Sequence, residues 1–444
     1  MPETLTSFDG FVRWLADVTA FCRGLPERLS DCSGAHSFPD VNLLLVLPNE
    51  ALDLDSVASS LSFAYAMYAA HNYPDADTSS PSSPSDDTVT LHALQLPGLA
   101  AGAKRCITVP VFPIDAEDFA LRLDSKHFVR RLFRSYAQNS SSQPAQTESG
   151  LAQSDLEPKD VILFADSLST KQWDTLAHVQ NCFFAFTDHN VQATEPLKRF
   201  LGKHATPCVS GHHATAPTAG PSGEPAARVL AVLDHHVDAG LFTESAVLRW
   251  VTPLGSACSV VVTALFCSMF RSHSTSRAET HERGVVFQDG CTASQSTEKK
   301  QEREKSARRA MKWLFPCSDE ATATQNTPGG VFLGDFLAAA IVTDTVNLDV
   351  RAHKVRIGDL AALDVLGKAA WVRRSDLEAE ACISYDVTHM DEKSKREMRV
   401  DKSPVANDER DALFRFIQLL RARTDDLTLQ QLLRMDLKWV RSEK

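Results

Sequence analysis

The sequence predicts an α/β fold, a mainly parallel sheet flanked by helices. Three observations predict it. Apolar runs of strand length alternate with helical segments along the chain. Those runs are continuous, as expected of strands covered on both faces. Acidic and imidazole residues cluster just after their C-terminal ends, where open α/β sheets place their ligands.

Taken in order, residues 5–28 carry Phe8, Phe11, Leu15, Val18 and Cys22 at helical spacing, an opening amphipathic helix. VNLLLVL at 41–47 is the first buried strand, and the polar loop PNEALDLD follows it. Residues 56–71 (SVASSLSFAYAMYAAH) form a helix, with Ser56 close to its start and small residues that permit tight packing on a sheet. Further strands are predicted at 106–112 (CITVPVF), 161–165 (VILFA), 182–187 (CFFAFT) and 228–233 (RVLAVL). KHFVRRLFR at 126–134 reads as an amphipathic helix, and 260–270 as an apolar one. Four stretches lack hydrophobic periodicity and are expected to be surface insertions: 75–88, 137–156, 203–227 and 271–308.

The balance of 46 Lys+Arg against 57 Asp+Glu leaves a net charge of −11, which argues against sequence-blind nucleic-acid binding. A polyanionic ligand would then be attracted by bound metal rather than by net charge. The start, MPETLTSFDG, has neither a basic nor an apolar segment of a secretory signal. The apolar runs fall short of a bilayer span, so no membrane association is expected. Ten cysteines are scattered without a C-x-x-C pair, which suits reduced thiols and a cytoplasmic location.

Four motifs carry chemistry: Asn49 to Ser56, Thr187 to Asn190, Asp234 to Asp238, and Ile341 to Asn347. Singly, each has a structural explanation; Asp53 and Asp55, for example, suit a helix cap and first turn. Together they offer several carboxylates and imidazoles on neighbouring loops, which is what two closely spaced divalent cations require. Asp53 and Asp55 could each face one metal, Asp188 could bridge them, and His235 and Asp344 could complete one coordination sphere. Oxygen donors with imidazole suit Mn²⁺, Mg²⁺ or Co²⁺.

NEALDLDSVASSL, FTDHN, LDHHVDAGLF and AAAIVTDTVNL resemble the four phosphoesterase motifs of the DHH superfamily. The branch is that of exopolyphosphatases, type II inorganic pyrophosphatases and prune proteins, and the likeness runs discontinuously from about residue 40 to 370. Asn49 stands where type II pyrophosphatases carry a metal-binding His, whereas exopolyphosphatases and prune proteins carry Asn. The resemblance implies an exopolyphosphatase that removes terminal phosphate from linear inorganic polyphosphate by hydroxide activated between two cations. It further implies Asp53 on one metal, Asp55 on the other, Asp188 bridging, and His235 and Asp344 on the second. Asp234 would support His235, His236 would face the substrate phosphate, and Asn49 would lie beside the first metal. His189 is grouped with these supporting residues. Ser256, in the segment Gly255 to Ser259, resembles the family's Gly-Ser stretch beside the phosphate, where a helix N-terminus would offer its amides. His212 and His213 are read as solvated.

Residues 1–365 are accordingly expected to form the DHH phosphoesterase domain. Residues 366–444 would form a shortened, incomplete α+β lid, because LTLQQLLRMDLKWV at 427–440 resembles only the opening of the family's C-terminal domain. No C-terminal Arg or Lys is assigned to the substrate. Two alternatives stand beside the main expectation. One is prune-like hydrolysis of short polyphosphate, pyrophosphate or nucleotides, and the other is a weakly catalytic polyphosphate- or protein-binding module.

Overall fold

Strands form where the chain is apolar on both sides. The computed structural model describes residues 7–30, 38, 40–77, 88–96, 99, 105–140, 156–177, 179, 181–190, 229–243, 245–271, 297–317, 332–372, 404–423, 428 and 431. Helix α1 (Ser7–Ser30) leads to strand β1 (Val41–Leu47), every residue of which is buried. Helix α2 (Leu54–Asn72) follows, then a small antiparallel pair, β2 (Asp75–Asp77) with β3 (Thr88–Thr90). Next come β4 (Arg105–Phe112), α3 (Ala116–Ala120), α4 (Leu123–Ser140), α5 (Pro158–Val161), β5 (Leu163–Phe164) and α6 (Thr170–Ala177). Strands β6 (Cys182–Thr187), β7 (Val229–Asp234) and β8 (Leu248–Val251) complete the sheet. Helices α7 (Ala257–Arg271), α8 (Thr297–Leu314), α9 (Leu333–Asp344), α10 (Ile357–Val365) and α11 (Pro404–Ala422) follow the sheet strands.

The main sheet has six strands in the order β5-β4-β1-β6-β7-β8, and every neighbouring pair is parallel. The chain grows outward from β1 through β4 to β5, then returns to the other side of β1 for β6, β7 and β8. That reversal opens a crevice beyond the C-terminal ends of β1 and β6, the usual ligand position in such a sheet. Helix α2 is buried over nearly its whole length because it is covered on both sides, by β1 and β4 and by α9. Its small residues allow that approach, and a helix apolar all round belongs in a core. Ile417 of α11 is fully buried in the same apolar core.

Several boundaries depart from the sequence expectation. The segment expected as a strand at 161–165 pairs only at Leu163–Phe164, because Pro158 starts a helical turn that runs to Val161. The half-buried edge strand β8 was not anticipated; Arg249 interrupts its apolar run. Of the expected insertions, 75–77 and 88 pair as strands, 137–140 belong to α4, and 297–308 belong to α8. Helix α8 is rich in good helix formers, gains an Arg308–Glu304 pair at 3.1 Å, and buries Ala307, Ala310, Met311 and Leu314. Its apolar stripe falls in the second half, which is why the first half looks unstructured in sequence. Residues 78–87, 141–155, 203–227 and 272–296 lie outside the described residues, as does 427–440 apart from Thr428 and Gln431. Among the described residues, no helix is long and apolar enough to cross a membrane.

Candidate metal centre

The loop after β1 is shaped by its capping chemistry. Asp53 is the N-cap of α2, and its Oδ1 accepts the Ser56 amide at 2.9 Å. The helix therefore starts at Leu54, two residues before the sequence expectation, and Asp55 lies in its first turn. Leu52, just before the cap, has a left-handed backbone (φ +44°). The Ser56 hydroxyl stands 2.9 Å from Asp53 Oδ1 and also contacts Asp188 Oδ2. One hydroxyl proton thus serves two carboxylates.

Asp188 follows β6 with φ +63° and is 3% exposed. Its amide donates to the Leu233 carbonyl at 2.9 Å, and its own carbonyl accepts Asn49 Nδ2 at 3.2 Å. Asn49 Oδ1 accepts the Ala51 amide, so the side chain links the loops after β1 and β6. His235 Nε2 comes within 3.0 Å of Asp188 Oδ1 as an ion pair. That buried oxygen has no aligned donor among the described residues.

Asp188, Asp234, His235 and His236 bring one potential ligand atom each within 4.8 Å of one another, a group that could hold a metal ion. Asp234 is the least suited of the four, because its oxygens are already committed. Its Oδ1 accepts the amides of His235 and His236 at 2.8 and 3.2 Å and His236 Nδ1 at 2.8 Å, while Oδ2 accepts Asn190 Nδ2. The ring that Asp234 holds is therefore that of His236, where the sequence expectation had His235. An Asp side chain folds readily over the next two residues, and that brings its carboxylate to His236. Asn190 extends the clamp by accepting the Ala239 amide at 2.9 Å.

His189 does not face the cluster as a free group. It is buried, its Nδ1–H donates to the Thr187 carbonyl at 3.0 Å, and its ring meets Phe186 edge-on. Burial pushes its pKa down, so the neutral ring keeps its lone pair at Nε2.

Asp55 sits at the N-terminus of α7, where its carboxylate accepts the amides of Ala257 and Cys258 at 2.6 and 2.9 Å. The Ser256 amide beside them donates to Asp359 Oδ1 at 2.8 Å, and the Ser259 hydroxyl donates to the same oxygen at 2.6 Å. The helix terminus that the sequence offered to a phosphate is thus occupied by two internal carboxylates, and Ser256 itself is buried. Asp344 is the last residue of α9, not a strand-end residue, and is half-buried.

The charges of these groups meet. Burial pushes Asp55 well above the ordinary carboxylate range, and Asp344 and Asp188 push it the same way. Burial also raises Asp188, with Asp53 adding to it against the pull of His235 and Ser56. Burial opposes charge on His235, but Asp188, Asp55 and Asp344 outweigh it and hold the ring at about 10. The bond to Asp234 raises His236. Four carboxylates, Asp53, Asp55, Asp188 and Asp344, thus share one crevice with one strongly held imidazolium. The mutual repulsion that raises Asp55 and Asp188, and the convergence of Asp188 with the imidazoles, fit a divalent cation.

Sequence reasoning missed Ser56, Asn190 and Asp359 as parts of this centre. Ser56 and Asn190 were inside the motifs, three residues after Asp53 and two after Asp188, so their spacing was the available signal. Asp359 carried none beyond a cap-like position in α10. Compared with known proteins, the chain matches no family model and no curated protein.

Proposed function

We propose that the protein is a metal-dependent phosphohydrolase that releases terminal phosphate from linear inorganic polyphosphate, with two divalent cations, Mn²⁺ or Mg²⁺, at this centre. The observation that carries the proposal is Asp188. A buried carboxylate oxygen without an aligned donor faces His235 at 3.0 Å, with Asp53, Asp55 and Asp344 within electrostatic reach. The likeness of the four motifs to DHH phosphoesterases supports a phosphate substrate, and Asn49 supports polyphosphate over pyrophosphate.

Asp53, Asp188, His235 and Asp344 would hold the cations, with His235 giving up its proton as they bind, and Asp55, each oxygen of which accepts an α7 amide, would join them through its remaining lone pairs. When bound, such cations supply Lewis acidity toward a phosphate oxygen and the attacking water. The chain does the positioning. Ser56 orients Asp53 and Asp188 toward each other, and Asn49 keeps their loops together. Asp234 fixes the half-exposed His236 ring through Nδ1, leaving Nε2 available to donate a proton to a phosphate oxygen.

The test is the rate of hydrolysis of triphosphate, long polyphosphate and pyrophosphate, read as phosphate release, and of a cyclic nucleotide, read as nucleoside monophosphate, with Mn²⁺ or with EDTA, beside Asp188→Ala. Release that requires Mn²⁺, is fastest on the linear polyphosphates and is lost in the variant is expected. Release that survives Asp188→Ala would contradict the proposal.

A further inference from the structure

Helix α11 packs against α9, the helix that ends in Asp344, and against α4, the helix that carries Asp124. Near its middle, Asp411 Oδ1 accepts Asn347 Nδ2 at 2.8 Å. Asn347 is three residues after Asp344. Near its end, Arg421 Nε donates to the buried Asp124 Oδ2 at 2.6 Å. Asp124 is followed by Ser125, whose hydroxyl donates to the Leu52 carbonyl at 3.1 Å. Leu52 directly precedes Asp53. Between the two ties, Ile417 is fully buried, and Phe416 meets the His127 ring edge-on at 5.1 Å. Ten residues of helix separate Asp411 from Arg421, about 15 Å along the axis.

The chain at both attachment points has an unfavourable backbone. Leu52 has φ +44°, and Val346, Asn347 and Leu348 have φ +55°, +62° and +56° in succession. L-residues with side chains rarely adopt this region, and a run of three is rarer still. Such conformations persist only where the surroundings hold them. Here the contacts leading to α11 reach one residue before Asp53 and three residues after Asp344.

We propose that α11 is a strap that sets the separation of the Asp53 and Asp344 loops, with Asp411 and Arg421 as positioning residues for the metal centre. The strap role rests on the metal-centre reading above. It makes the C-terminal helix part of the centre without contributing a ligand, and it couples metal affinity to how firmly that helix is docked.

The test is Mn²⁺ titration of the full chain and of Asp411→Ala, Arg421→Ala, Asp411→Asn and Asp188→Ala, with hydrogen exchange on the metal-free proteins. Asp411→Ala and Arg421→Ala are each expected to weaken Mn²⁺ binding about tenfold, as loss of outer-shell partners does elsewhere. Exchange should accelerate in peptides covering 342–349 for the first variant and 49–57 for the second, and not throughout the chain. Asp411→Asn keeps an oxygen for Asn347 and should bind Mn²⁺ like the parent, which a role for the Asp411 charge alone would not allow. Unchanged affinity in both alanine variants, beside a loss in Asp188→Ala, would overturn the strap and leave the metal centre standing. Equal binding by the parent and Asp188→Ala would overturn both.

Discussion

Asp55 and Asp359 grip the same helix N-terminus from two sides. The amides of Ala257 and Cys258 donate to Asp55, and the amide of Ser256 donates to Asp359. The arrangement directs one helix dipole at two buried acids. It also needs α7 and α10 to meet closely. The Gly358 amide donates to the Leu254 carbonyl at 2.7 Å, and a Cβ on Gly358 would stand 2.3 Å from that oxygen.

A pH dependence follows for Asp359. Burial raises it from 3.8 to about 6, against the bonds from Ser259, Ser256 and Arg356 that pull it down. Its folded pKa therefore exceeds its unfolded one. The stability it contributes is fully present below 3.8 and is lost as pH rises through about 6. Asp359→Asn cannot ionise, so the parent's stability relative to this variant should fall across that window. Urea midpoints at several pH values check this, and a difference that stays flat with pH would contradict it.

His71 should act in the opposite sense. Burial lowers its pKa from 6.5 to about 4, and its Nε2 accepts the Leu96 amide at 3.0 Å. The folded state prefers the neutral ring, so the stability it contributes is present above 6.5 and lost as pH falls through about 4. His71→Gln keeps an acceptor but cannot be protonated. Its melting temperature should fall less on acidification over this range than that of the parent.

Asp234 should matter more for folding than a metal ligand would. It is fully buried and accepts donors from His235, His236 and Asn190. Asp234→Ala strands those donors together and should cost about 3 kcal/mol or more by urea unfolding. Asp234→Asn, which retains one oxygen, should cost less.

Much of this was legible in the sequence for a local reason. Strands β1, β6 and β7 are uninterrupted apolar runs; Asp188 directly follows β6, Asp234 ends β7 with the two histidines after it, and Asp53 closes the short loop after β1, so run and ligand are read together. The charged first half of α8 hid its helix, and Arg249 hid the edge strand β8. Asp359 and Asp411 were illegible for a different reason. Their partners, Ser256 and Asn347, lie 103 and 64 residues away, and only the fold supplies that distance. The misassigned support of Asp234 has another origin: both candidate rings are adjacent in sequence, and only local geometry chooses His236.

Ser56 tests whether the two nearest carboxylates act as a unit. Its hydroxyl lies between Asp53 and Asp188, and Ser56→Ala leaves them facing each other without a shared donor. Mn²⁺ affinity should fall about tenfold, because the carboxylates lose the group that orients them. Ser56→Thr, which keeps the hydroxyl, should recover most of the loss.

The most direct measurement is calorimetric titration of Mn²⁺ into the metal-free protein and into Asp188→Asn. The parent should bind two ions per chain, with protons released as His235 becomes a ligand. Asp188→Asn should lose at least one of those ions, since the bridging charge is gone. Equal stoichiometry and affinity in the two proteins would contradict a metal centre built on Asp188.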